Sequence, residues 1–485
     1  MSTPEQLAFL NLIEVVNQVA PEIARPIVQE LFDQGRNLKM IASENYSSLA
    51  TQFAMANLLT DKYAEGYVEF EGDIKPRRFY AGCENVDAIE AQTARWACEL
   101  FGAEHAYVQP HSGADANLIA FWSVLTNRVE APAVGDKNPA TMSHEEWEVV
   151  RKKLGNQRLL GPGLYSGGHL THGFRHNVSA KMFEAFSYSV SKETGLLDYD
   201  EIAKQAKEVK PLILIAGYSA YPRKVNFAKM RQIADDCGAV LMVDMAHFAG
   251  LVAGKVFTGD FDPVPHAQIV TTTTHKTLRG PRGGMVLSTK EFRDQLNRGC
   301  PLVAGGPLPH VMAAKGVCFK EALRPEFKDY AAQIVKNAQA LAASLEKRNA
   351  KVLTHGTENH LVLVDLRDRG YTGRQAEEAF RECRITLNRN TIPFDENGAW
   401  YTSGLRAGTA ALTTIGMKEA EMDAVADVYT TILDGIASKP GSKAKYVWTV
   451  EGAADKARDG VEALMKRFSP YPALDLDALG KRFLA

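Results

Sequence analysis

The chain has 485 residues, more than one small core accommodates, and two or three domains are expected. Apolar and charged contents of 45% and 24% are those of an ordinary globular protein. The net charge of −2 provides no basic field to draw a nucleic acid. No apolar run reaches membrane-spanning length, and the opening MSTPEQLAFLNLIEVV lacks the basic region of a secretory leader. The six cysteines (83, 98, 237, 300, 318, 383) show no CxxC spacing. A cytoplasmic protein with reduced thiols, no disulfide framework and no bound metal is expected.

Residues 5–35 carry an apolar stripe at helical spacing (Phe9, Leu12, Ile13, Val16, Val19), which Pro21 and Pro26 are expected to interrupt. This arm, residues 1–37, packs either on a partner subunit or on its own domain. Leu38 to Ala42 reads as a strand leading into a polar loop. Two segments, KYAEGY (62–67) and RRFYAGCE (77–84), interleave glycine and aromatic residues with Glu65 and Arg78, the composition of a binding loop. Residues 86–101 predict a helix stopped by Gly102. Strand 106–109 then leads through Pro110-His-Ser-Gly113 into helix 114–125. Such a junction points free amides and the positive end of a helix dipole at an anion.

Residues 126–160 read as a surface insertion around one short helix, with Ser143 and Glu146 spaced as a capping box. GLYSGGHLTHG (163–173) holds glycines that let backbone approach a flat ligand. Its His169 and His172 have no neighbouring cysteine or carboxylate at ligand spacing, so a metal is the weaker reading. Buried-strand candidates follow at 212–216, 240–243 and 285–288, with a helix at 227–237 between the first two. Alternation of this kind predicts a mostly parallel sheet covered on both faces, with ligands at the carboxyl ends of its strands. Ser219, Asp244 and Lys276 all fall just past such ends. From Pro325 the pattern changes to a smaller α/β domain: helix 330–348, strand 361–365, helix 373–381, strand 385–388 and SGLRAGT at 403–409. A helix near 452–467 follows.

The segment IVTTTTHKTLRGPRGG (269–284) places a lysine at the end of a buried strand, fenced by hydroxyls and glycine amides. Burial there keeps an amine neutral enough to attack an aldehyde. Asp244, 32 residues earlier in VDMAH, suits the ring nitrogen of a pyridine cofactor; taken alone it reads rather as a helix N-cap after a strand.

Over residues 5–435 the chain resembles the serine hydroxymethyltransferase family. The resemblance rests on ASENY (42–46), KYAEGY, FYAGCE (79–84), VQPHSGADAN (108–117), GGHLTHG (167–173), VDMAHFAGLVAG (243–254), TTTTHKTLRGPRGG (271–284), GGPLPH (305–310) and SGLRAGT. It implies an α/β protein with the fold of pyridoxal-phosphate transferases, similar to aspartate aminotransferase. That fold comprises a large domain with a seven-stranded, mostly parallel sheet (38–322), a smaller C-terminal domain (323–485) and the N-terminal helical arm. It also implies a homodimer with shared active sites, or a tetramer, acting on small molecules and binding no nucleic acid or membrane. The reaction implied is reversible transfer of the hydroxymethyl carbon of serine to tetrahydrofolate, giving glycine and 5,10-methylenetetrahydrofolate.

Carried over by motif position, the resemblance assigns Lys276 the imine with pyridoxal 5'-phosphate and Asp244 the ring nitrogen. His169 stacks on the ring, His247 lies close to it, and Ser219 and Thr273 help position it. Ser112 and Gly113 hold the phosphate with Tyr63, Gly305 and Gly306 of the partner, and His275 shapes the pocket beside the imine. Arg406 and Ser43 meet the amino-acid carboxylate. Glu65 is the acid/base at the substrate hydroxyl, supported by Tyr80, and Leu164, Gly168, Leu170 and Asn390 meet the folate. Three departures stand out: an expanded turn at Val68–Arg77, the 126–160 insertion, and Ala304 where the family commonly has Gln. The inserts resemble those of a longer, chlamydial-like bacterial subgroup. Their place beside the folate region keeps a folate-independent aldolase of 3-hydroxy amino acids as the alternative chemistry. A non-catalytic paralogue is opposed by the intact Lys276, Asp244, Glu65 and Arg406, and a nucleotide site by the lack of GxxxxGK[ST].

Overall fold

A computed structural model describes residues 3–484. Strands β1 (Leu38–Lys39), β2 (Gly66–Glu69), β3 (Lys75–Arg78), β4 (His105–Tyr107), β5 (Arg158–Pro162) and β6 (Glu184–Tyr188) come first. They are followed by β7 (Ile213–Ala216), β8 (Val240–Asp244), β9 (Ile269–Thr273) and β10 (Gly284–Ser288). Seven of these form one sheet in the order β4-β10-β9-β8-β7-β5-β6. The run β6 to β9 is parallel, and only β10 lies antiparallel to its neighbours β9 and β4.

Side chains alternate across this sheet, and both faces are buried. Leu241, Val243 and Val270 pack into one apolar core, while Val240, Met242 and Ile269 pack into another on the opposite face. That double burial explains the uninterrupted apolar strands in the sequence. The helix Phe227–Cys237 forms where its spacing places it, and Glu84–Phe101 ends on Gly102 in the left-handed region at φ 73°.

A second sheet, order β11 (Lys351–Val352), β12 (Leu361–Asp365), β15 (Gly404–Gly408), β14 (Asn388–Asn390), is wholly antiparallel. Its core draws on the helices Glu326–Lys347, Gly373–Glu382 and Glu419–Gly435. The short strand β13 (Ile385–Thr386) pairs instead with β1 in parallel, and Leu38 and Met40 join this smaller core. The segment from Leu38, grouped in the sequence with the large domain, therefore packs beside the small sheet before crossing to the large one.

Three expectations differ from what forms. Pro26 sits inside a continuous helix, Pro21–Arg36, where the missing amide is outweighed by burial of Ala24, Val28 and Leu31. These residues pack with Ile13 on the C-terminal Leu474, Leu479 and Phe483, so the inner face of the arm rests on its own chain. Residues 126–160 are only partly an insertion. The capping box on His144–Leu154 forms, but Leu159 and Leu160 belong to β5, an inner strand of the large sheet. The expanded turn at 68–77 is the β2–β3 hairpin, which buries Val68 and Phe70 in the large core.

Candidate active site

Lys276 lies three residues beyond β9, in a loop closed by Thr274 N–H to Gly283 O (3.1 Å) and Gly280 N–H to Thr274 O (2.7 Å). Asn45 Nδ2 anchors the lysine's carbonyl at 2.9 Å and also donates to Tyr330 Oη at 2.7 Å. Among the described residues no carboxylate stands within 4 Å of Nζ. Burial depresses the amine to about 8, opposed by Asp244 and aided by Arg406 and Arg282. About a tenth of the amine is then neutral at pH 7, far more than for a solvated lysine.

The lysine opens on a cleft of about 400 Å³ where Ser43, Ser112, Gly113, His169, Ser219, Asp244, His247, Thr273, His275 and Arg406 meet. Asp244 ends β8. Its Oδ2 accepts from Asn117 Nδ2 (3.0 Å) and lies 3.1 Å from His172 Nε2, and its Oδ1 accepts the Ala246 amide at 3.0 Å. Burial raises its pKa, but the His172 hydrogen bond and charge, with His169 and Asn117, outweigh this and hold it well below the usual carboxylate range. It is a fixed anion at every working pH.

Three further histidines of the cleft are held neutral by burial. Burial lowers His169 to about 4, and its Nδ1 lies 2.7 Å from Thr171 Oγ1. Burial also lowers His275 to about 3 and His247 well below its ordinary value, Nδ1 of the latter facing His360 Nε2 at 3.2 Å. A neutral His169 presents a flat face to a ring without repelling a ring cation.

Two positions favour anions. The helix Gly113–Leu125 opens into the cleft, and Ser112 caps it by accepting the Asp115 amide at 3.2 Å. A Cβ on Gly113 would stand 2.7 Å from Thr273 Cγ2, so this closure needs glycine. Opposite, Arg406 reaches from β15 to donate to Ser219 O (2.6 Å) and Asn388 Oδ1 (3.0 Å). Its Nε is buried without a partner, and burial alone lowers the guanidinium to about 10. A desolvated cation with a spare donor and, among the described residues, no carboxylate beside it suits an anion that arrives from outside.

Other expected residues lie outside this cleft. Tyr63 and Tyr80 are exposed and stack with ring centroids 4.7 Å apart; Tyr63 Oη donates to Glu65 at 3.4 Å, and Gly306 lies against the Tyr63 ring. Gly305 is beside Gly306 in the same segment. The backbone of Glu65 is rigidly held. Arg78, ion-paired with Asp87 and Glu90 in the interior, donates Nη1 to the carbonyls of Ala64 and Gly66 on either side of it. Leu164 and the half-exposed Leu170 belong to the loop after β5, where Gly168 is pressed on Pro162 O so that a Cβ would sit 2.1 Å away. Asn390 is on β14, paired with Gly404.

Sequence reading passed over the groups that hold these residues. Asn117 bridges Asp244 and Thr271, His172 charges Asp244, Asn45 fixes the lysine loop and Asn388 orients Arg406. For His172 the spacing of three from His169 was a usable signal; the asparagines carry none before folding.

The family model for serine hydroxymethyltransferase matches residues 16–135 and 143–429. Serine hydroxymethyltransferase of Salinispora tropica is 57% identical over 97% of this chain and 99% of its own length. That of Treponema pallidum is 54% identical over 98% of this chain and 83% of its own, and one from Chlamydia trachomatis 52% identical over 98% and 95%. The chlamydial protein is thus a relative over nearly its whole length, at lower identity than the Salinispora protein.

Proposed function

From the premise that this chain belongs to the serine hydroxymethyltransferase family, pyridoxal-phosphate enzymes that exchange a one-carbon unit between serine and tetrahydrofolate, we propose how its residues divide the work. The observation that carries the proposal is the convergence of the depressed Lys276, the fixed anion Asp244 and Arg406, with its spare buried Nε, on one cleft. The cleft fits the cofactor. It offers an amine for an aldehyde, a carboxylate for a ring nitrogen, the flat face of His169, and a capped helix start for a phosphate.

When bound, pyridoxal phosphate supplies an electrophilic carbon and a protonated ring that draws electrons from a breaking Cα bond. Lys276 would hold that carbon through its amine, which burial keeps partly neutral, and when free of the cofactor it would be a base inside the cleft. Asp244, held by His172 and Asn117, keeps the proton on the ring nitrogen. Arg406 grips the substrate carboxylate as a fork, with Ser43 beside it, and so orients the Cα bond to be broken. Glu65 moves the proton of the substrate hydroxyl, with Tyr80 alongside, while His275 and Thr273 wall the reacting centre. The segment of Leu164, Gly168 and Leu170, with Asn390, receives the folate.

Glu65, Tyr63, Tyr80, Gly305 and Gly306 complete the cleft from a second copy of the chain. Support comes from their grouping outside the chain's own cleft and from exposed apolar side chains nearby and on the arm (Phe79, Leu58, Val15, Val19, Ile23). Mixing inactive Lys276→Ala and Glu65→Gln proteins is then expected to restore activity, up to about a quarter of wild type for randomly exchanged dimers. Absence of recovery after demonstrated subunit exchange overturns the shared site. A cytoplasmic location fits six unpaired cysteines, and no described helix is long and apolar enough to cross a membrane.

Serine cleavage followed with and without tetrahydrofolate tests the folate assignment. Serine cleavage should speed up at least about a hundredfold with folate, the gain of holding both reactants in one site. Equal rates would instead establish the aldolase.

A further inference from the structure

One buried cation takes no part in the chemistry above. Lys315 lies on the helix Pro309–Ala322, and its side chain is 1% exposed. Its Nζ donates to the carbonyls of Val108 (2.6 Å), Pro110 (2.9 Å) and Gly284 (2.9 Å). Among the described residues no carboxylate lies within 4 Å of it. The three carbonyls belong to the end of the β4 segment, to the loop that leads into Ser112 and Gly113, and to the start of β10. The same two backbones also touch directly: Gly284 N–H donates to Pro110 O at 2.9 Å, and a Cβ on Gly284 would stand 2.1 Å from Ser112 O. On the other side, a Cβ on Gly283 would meet Lys315 Cε at 2.5 Å, so the chain is shaped around the lysine stem.

We propose that Lys315 is a positioning residue for the anion-binding loop: its ammonium pins Val108, Pro110 and Gly284 so that Ser112 and Gly113 face the cleft, and it sets a positive charge behind them. The inference rests on the reading of Ser112–Gly113 as the phosphate site. Three acceptors facing one nitrogen use three N–H groups, which only the ammonium carries. Burial pulls its pKa down to about 7, with Glu90 and Asp115 opposing, so the ammonium form prevails below that pH, where the probes are compared. A charge in so dry a place acts over a longer reach than one in water, and the anion-binding loop lies directly in front of it. Being on the helix that follows Gly305–Gly306, the same lysine also ties that segment to the loop.

The test compares two probes on the cofactor-free full-length protein: pyridoxal phosphate and pyridoxal, which share the ring and aldehyde and differ in the phosphate. Lys315→Gln and Lys315→Met are expected to weaken pyridoxal phosphate roughly tenfold or more while pyridoxal changes less than about twofold. A parallel loss of both probes would mean a merely structural role, and no loss of either would also overturn the proposal. Ser112→Ala is run alongside. If it leaves the ratio of the two affinities at the wild-type value, the phosphate-site reading fails; if it lowers the ratio and the Lys315 variants do not, the role of Lys315 fails. Should neither Lys315 variant fold, Gly283→Ala displaces the stem with the charge kept, and the same ratio decides.

Discussion

Lys276→Ala is expected to abolish the visible absorption of the holoenzyme and to lower turnover by at least about a thousandfold, the usual cost of removing a covalent nucleophile. The cleft residues that would still hold the cofactor's ring and phosphate (Asp244, His169, Ser112, Gly113) remain, so pyridoxal phosphate should bind but not be fixed covalently. Near-normal turnover would refute the assignment. A second consequence concerns pH in the cofactor-free protein. The amine's pKa falls from 10.5 to about 8 on folding because burial disfavours its charge. Between those values the unfolded chain binds more protons than the folded one, so stability rises with pH across this window. Below it both states are protonated and the burial penalty is paid in full. Denaturant midpoints measured from pH 7 to 10.5 should therefore climb in wild type, and this part of the climb should vanish in Lys276→Met. Identical slopes would show that the lysine is not desolvated.

Arg406→Ala is the second large effect. The guanidinium spends two donors on Ser219 O and Asn388 Oδ1 and keeps a buried Nε without a partner. Two charge-assisted bonds to a substrate carboxylate contribute about 3–5 kcal/mol together, so KM for serine should rise roughly 10²- to 10³-fold. Affinity for pyridoxal phosphate should change little, because no cofactor contact is assigned to this arginine. Arg406→Lys keeps the charge and loses the planar fork, and is expected to fall between the two. Comparable losses of serine and cofactor affinity in Arg406→Ala would count against carboxylate recognition. They would point instead to collapse of the β15 contact with Ser219.

Much of the large sheet was legible because its strands are buried on both faces. Runs such as Val240–Val243 and Ile213–Ala216 are apolar throughout, a pattern only an interior strand tolerates. Strand β5 escaped notice because it opens on Arg158 and closes on Gly161 and Pro162, residues that usually mark loops; pairing on both sides makes it a strand despite them. The hairpin at 66–78 was missed for a related reason. Its polar outer side dominates the composition, while Val68 and Phe70 find their burial only against a core formed by distant segments.

By itself the sequence determined the order of elements, the family motifs and the chemical types of Lys276, Asp244 and Arg406, since these depend on local pattern and on side-chain chemistry. Tertiary structure decided the rest. Desolvation lowered the pKa of Lys276 well below that of an ordinary lysine, and hydrogen bonds from His172 and Asn117, far off in the chain, kept Asp244 charged against the same burial. Packing also set Tyr63, Glu65 and Tyr80 apart from the chain's own cleft, and it closed three backbone carbonyls around Lys315. Charge state and proximity depend on what the fold places around a group and on the water it excludes, and neither quantity is carried by the residue alone.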